Sequence, residues 1–155
     1  MSEPVRWQTT DDVFIRAPQK RIARRLLDLA DDSSWWPGVR ARGTYGYVEV
    51  DAPAGRPFSR ARFGAIISPV REWEGFTWTI NQGDLAGRAE WWLEAFGDGT
   101  IVHYYLDLAR APGRRLRRTS ASVRRHRWAI RRGLNALKDD LEAATARPTG
   151  SPAAR

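Results

Sequence analysis

Ser120-Ala-Ser-Val-Arg-Arg-His-Arg-Trp-Ala-Ile-Arg-Arg-Gly-Leu-Asn-Ala-Leu-Lys-Asp-Asp-Leu-Glu-Ala-Ala144 is the stretch that decides the fold. Val123, Ile130, Leu134, Leu137, Leu141 and Ala144 recur at steps of seven, four, three, four and three, which stacks them along one side of an α-helix. The remaining faces are mostly charged. Covering each of the larger aliphatics contributes roughly 1.5–3 kcal/mol. A helix with such a stripe needs a broad complementary surface, and a sheet supplies one.

The charges on this helix oppose its dipole. Arg124, Arg125 and Arg127 sit in the first half, and Asp139, Asp140 and Glu142 in the last. Each such placement costs roughly 0.3–1 kcal/mol when exposed near an end, so helix stability does not explain the pattern. Gly133 costs about 0.5–1 kcal/mol against Ala and lies beside the stripe, three residues from Ile130 and four from Leu137. Two readings stand for it: close approach to a backbone or ligand, or a slight bend.

Working outward, 155 residues make one domain, large enough to bury about 70% of the surface of the unfolded chain. Residues 1–146 are expected to form that domain and 147–155 a disordered tail, because Pro148, Gly150 and Pro152 follow the helix. Eight Trp put large contact areas into a core or pocket. With no Cys there is neither a disulfide framework nor a thiolate nucleophile or metal ligand. The N-terminus has no basic segment followed by an apolar run, and no window approaches a membrane span, so a cytoplasmic protein is expected.

The net charge of +8 comes from one segment: Arg110 to Arg132 holds ten Arg and no acid. Its plain reading is a solvated helix face. The alternative is a basic helix contacting a polyanion, with steep salt dependence. No base-reading motif accompanies the charge and the aromatics do not alternate with the arginines as a stacking platform requires. Neither a specific nucleic-acid partner nor membrane insertion is expected.

From Thr9 to Arg16 the sequence reads as a first strand, stopped by Ala17-Pro18. Proline at the first helical position opens a helix through Ala30, with Ile22, Leu26 and Leu29 on one face. Asp31-Asp32-Ser33-Ser34 offers caps for a second, very short helix ending at Trp35-Trp36-Pro37-Gly38. Two adjacent Trp are not expected to face one core. From Val39 the period changes to two, with turn residues between the runs. Val39–Val50 places Tyr45 and Tyr47 on one face; Asp51–Pro57 is a loop; Phe58–Ser68 carries Ala61, Phe63, Ala65 and Ile67 together and is ended by Pro69. Gly75–Asn81 alternates Phe76, Trp78 and Ile80 against threonines, and Gln82-Gly83-Asp84 turns the chain. Gly87–Ala95 and Thr100–Leu108 form a hairpin across Gly97-Asp-Gly-Thr100, with Trp91 and Leu93 facing inward beside Tyr104 and Leu106, and His103 outward. Helices segregated to one side of an antiparallel sheet give an α+β fold.

Four stretches, in order, carry a resemblance over roughly residues 9 to 145: Val13-Phe-Ile-Arg-Ala-Pro18; Asp31 to Pro37; Gly87-Arg-Ala-Glu-Trp-Trp-Leu-Glu94 with Gly97-Asp-Gly-Thr100; and Leu134-Asn-Ala-Leu-Lys138 with Glu142. They resemble the START-like superfamily, in particular its polyketide cyclase/dehydrase and lipid-transport proteins. The resemblance implies a helix-grip fold, a curved antiparallel sheet wrapped around the long C-terminal helix with two short helices after the first strand. It also implies an elongated apolar cavity for a lipid, polyketide or other hydrophobic small molecule. It implies no catalytic residue.

The two histidines, His103 and His126, lie in different elements with no ligand-spaced cluster, so no metal is expected and no cofactor. Phosphate loops and nucleophile elbows are likewise missing. Inner-face parity gathers Tyr45, Tyr47, Phe63, Trp78, Ile80, Trp91, Leu93, Tyr104 and Leu106 under the helix, joined by Ile130, Gly133 and Leu134. These read either as an aromatic core or as a pocket whose Tyr and Trp groups provide directed polar contacts. An aromatase or cyclase would need an acid–base group there. The tyrosines qualify, as does Arg127, which is four residues after Val123 and three before Ile130.

Overall fold

The structure, a computed structural model, describes residues 6–30, 32–44, 46–53, 60–113 and 119–146. Strand β1 (Arg6–Ile15) leads into helix α1 (Gln19–Leu27), which tightens into a 3₁₀ turn (Asp28–Ala30). Strands β2 (Arg40–Thr44), β3 (Tyr47–Pro53), β4 (Arg60–Arg71), β5 (Gly75–Gly83), β6 (Leu85–Phe96) and β7 (Gly99–Arg110) follow, then helix α2 (Thr119–Ala146). The strands form one curved antiparallel sheet in the order β1-β7-β6-β5-β4-β3-β2. Its first strand returns to pair with the last, from Arg6↔Ala109 to Ile15↔Thr100. A register shift at Gly64/Ala65 adds to the curvature, because a bulge bends its strand.

The helical stripe meets the concave face as its spacing requires. Ala129, Ile130, Leu134, Leu137 and Leu141 are buried, whereas Ala144 is exposed at the helix end. Several charges that oppose the dipole have tertiary uses. Glu142 accepts the Arg16 backbone N–H at 2.9 Å and the Lys138 ammonium at 2.9 Å, and Lys138 also donates to the Phe14 carbonyl. These bonds pin the C-terminal half of α2 to the end of β1. No described helix is long and apolar enough to cross a membrane.

Local expectations are corrected in four places. The span Val39–Val50 is not one strand: Thr44 pairs with Tyr47 across a tight turn in which Gly46 has φ 87°. This reverses the parity, so Val48 and Val50 are buried and Tyr47 faces the outer side. There its ring covers Gly64, and its hydroxyl donates to Gln82 Oε1 at 3.1 Å. Pro69 does not end β4, because β3 pairs only as far as Ile66 and a proline on a free edge removes no ladder bond. Pro18 precedes the first helical residue of α1 rather than occupying it. The expected second helix is a set of turns, in which Asp32 Oδ1 accepts the Ser34 N–H at 3.0 Å and caps a turn instead of a helix. Tyr45 and the tail 147–155 lie outside the described residues.

Candidate functional site

Between the sheet and the first half of α2 lies an apolar cavity of about 50 Å³. Phe63, Trp78, Ile80, Tyr104 and Leu106 line it from the strands, Trp36 from the turns before β2, and Val123 and His126 from α2. Toward the end where α2 begins, the lining continues through Trp7, Pro53, Leu85 and Leu108. A water molecule needs about 10–15 Å³, and pockets for drug-sized ligands run to about 300–1,000 Å³. As it stands the cavity takes a water-sized group.

Trp36 borders the cavity and packs among the aromatic side chains around it. Contrary to expectation, Trp35 and Trp36 both enter the core, each 3% exposed, with rings stacked at 5.3 Å. Neither helix nor strand geometry permits that for neighbours in sequence. The turns do: the Trp36 N–H donates to the Ser33 carbonyl, the Val39 N–H to the Trp36 carbonyl, and Gly38 has φ 72°. Trp36 then sits amid Trp78 and Trp91, each at 6.3 Å between centroids, Tyr104 at 6.4 Å and His126 at 5.6 Å. Trp35 is seated on Gly133, where a Cβ would lie 3.1 Å from the Trp35 carbonyl oxygen and 3.2 Å from its ring. Of the two readings of Gly133, close approach is the one the geometry gives.

Sequence reasoning passed over His126. A step of seven from Val123 to Ile130 leaves one stripe position between them, and 126 and 127 both satisfy helical spacing. His126 takes it, 2.9 Å from the Tyr104 hydroxyl. Arg127 is turned aside. It and Arg131, one turn on, place Nε at 3.5 and 2.6 Å from the carboxylate of Asp11, whose side chain is 2% exposed on the inner face of β1. Asp11 is also the cross-strand partner of Tyr104. Nothing in the sequence set this carboxylate apart from its neighbour Asp12. Asp12 lies on the outer face, where it contacts His103 Nδ1 at 2.7 Å, and Glu94 lies 3.3 Å from His103 Nε2. No group of three metal-ligating side chains occurs among the described residues.

Burial pushes the His126 imidazole down to about 4 from 6.5, with the Asp11 carboxylate opposing, and pushes the Tyr104 hydroxyl well above its ordinary range. Both groups are neutral at pH 7. Unfolded, the imidazole protonates near 6.5, so between that pH and about 4 the unfolded state binds more protons. Stability is therefore complete above the unfolded value and is lost as pH falls toward 4, by roughly 2–3 kcal/mol. Urea unfolding from pH 7 to 4 should show this loss, and His126→Gln should remove that part of the slope. An unchanged difference between the two proteins across the window would show that His126 is not buried neutral.

Of the remaining expected residues, Trp91, Leu93, Ile130 and Leu134 are buried in the surrounding core rather than on the cavity wall. Four buried indole N–H groups, of Trp35, Trp36, Trp78 and Trp91, find no acceptor among the described residues. An orphaned buried donor costs about 1–3 kcal/mol. Trp36 and Trp78 are the two that line the cavity.

No family model matches the chain, and no curated protein is similar to it in sequence. Solved structures are similar in fold. A START superfamily protein from Mycobacterium smegmatis superposes with a TM-score of 0.69 at 16% identity, covering 88% of this chain and 98% of its own. A protein from Thermus thermophilus gives 0.67 at 16% identity over 90% and 100%. One from Deinococcus radiodurans gives 0.65 at 15% over 89% and 99%. With a curved seven-stranded antiparallel sheet closed on a long C-terminal helix, this chain has the START-like helix-grip fold.

Proposed function

We propose that the protein binds a hydrophobic small molecule, a lipid, polyketide or related apolar ligand, between the sheet and α2. The observation that carries this reading is an apolar cavity at the grip of the fold bordered by Trp36 and Trp78, whose buried indole N–H groups find no acceptor among the described residues. A solid core gains nothing from such donors, whereas a ligand carrying a carbonyl or ether oxygen satisfies them. Trp36 must move aside to admit it. Trp36 is the aromatic of the cluster best placed to do so, since it rides on turns while Trp78, Trp91 and Tyr104 are held in strand ladders.

The enzymatic alternative, acid–base catalysis of the aromatase or cyclase type, rests on Tyr104 and His126. Burial raises the acid and weakens the base, so proton transfer between them would create two buried charges at neutral pH. The pair is better suited to presenting a fixed dipole to a bound molecule.

Native mass spectrometry of the protein as purified should reveal a co-purifying apolar species. In titrations, fluorenone should bind about tenfold more tightly than fluorene, the difference of one buried hydrogen bond, and should shift indole N–H resonances in ¹⁵N spectra. Absence of any thermal or spectral response to lipids, fluorenes and aromatic polyketides alike would remove the binding reading.

A further inference from the structure

The face of α2 turned away from the sheet carries Arg124, Arg125, Trp128, Arg131 and Arg132, all exposed. Trp128 is 55% exposed, and the Arg132 guanidinium lies 4.9 Å over its ring. The sequence holds no acid between Arg110 and Lys138, so no carboxylate on this helix neutralises the patch before Asp139. Arg131 and Arg127 have a structural use on Asp11. Nothing comparable accounts for Trp128, and arginines in the first half of a helix oppose its dipole. An amphipathic ring amid guanidinium groups matches a boundary that is anionic on its surface and apolar just beneath, where Trp settles at headgroup level and arginines meet phosphates.

We propose that the outer face of α2 docks on a membrane surface containing anionic lipid, with Trp128 at headgroup depth and Arg124, Arg125 and Arg132 on lipid phosphates. A nucleic acid fits less well, because one ring on a convex helix offers no succession of stacking platforms. The choice also leans on the ligand-binding reading above: Val123 and His126 of this same half-helix line the cavity, so a docked molecule would hold the lined end close to a reservoir of apolar ligand. The docking itself does not require that reading to hold.

The test is co-sedimentation of the full chain with vesicles of phosphatidylcholine alone or mixed with phosphatidylglycerol, at low and physiological salt. Binding should require the anionic lipid and weaken as salt rises. Combined Arg124→Glu, Arg125→Glu and Arg132→Glu should lower affinity by more than about a hundredfold, at about fivefold or more for each arginine. Trp128→Ala should leave the melting temperature unchanged, lower affinity severalfold and abolish the part of the fluorescence quenched by brominated lipid. No binding to anionic vesicles at low salt, equal binding by the charge-reversed chain, or tighter binding to single-stranded DNA than to vesicles would each overturn the proposal. Vesicle binding without uptake of any apolar ligand would uphold it while removing the reading of the cavity.

Discussion

Replacing Arg127 and Arg131 together by alanine should destabilise the fold by about 3–5 kcal/mol, the usual effect of leaving a buried charge without its partners. The asymmetry of the cluster sets this magnitude. The two arginine side chains are 40% and 62% exposed, whereas the Asp11 side chain is 2% exposed beneath them. Removing the carboxylate releases the arginines to water at little penalty. Removing the arginines strands the carboxylate in the core. Asp11→Leu combined with Arg127→Met and Arg131→Met should therefore recover most of the loss, because apolar residues of similar volume replace such clusters without an uncompensated charge. For a chain of this size the double alanine variant should melt about 2–4 °C lower for each kcal/mol lost. If it proves as stable as the parent, water reaches Asp11 and the cluster is not a buried one.

That cluster marks one limit of what the sequence conveys. Periodicity records which face of an element is covered, so the α2 stripe and the alternation of β5, β6 and β7 were legible down to Trp78, Tyr104 and Leu106. It does not record what crosses from one element to another. Asp11 and Arg131 are 120 positions apart, and nothing near either residue announces the other. The β2–β3 turn failed for a different reason: the sequence between Val39 and Val50 has no Asn-Gly or Asp-Gly pair, the usual signal of a two-residue loop. Missing it carried Tyr47 to the wrong face. Trp36 was lost because stripe reasoning applies only to regular elements, and this residue enters the core from turns. His126 was within reach, since the gap in the stripe admitted position 126 as well as 127.

Replacing Trp36 by alanine should produce the other large effect, and it separates a plugged pocket from an ordinary core. Deleting a buried Trp costs about 3–5 kcal/mol through lost contacts and the space left behind. Both readings predict that loss. They diverge on rescue. Trp36 borders the cavity and contacts Trp78, Tyr104 and His126, so its removal enlarges a space that already exists. Indole or fluorenone should then bind the variant more tightly than the parent and stabilise it by about 2.7 kcal/mol at a hundredfold excess over the dissociation constant. Trp35→Ala is the control. Trp35 is equally buried but does not line the cavity, and its removal opens space over Gly133 instead. It should cost a similar amount and be rescued little. Thermal melts of both variants across a ligand series decide the matter, for if neither is rescued, or both are rescued equally, Trp36 is a core residue like its neighbour and the space between sheet and helix is not a site.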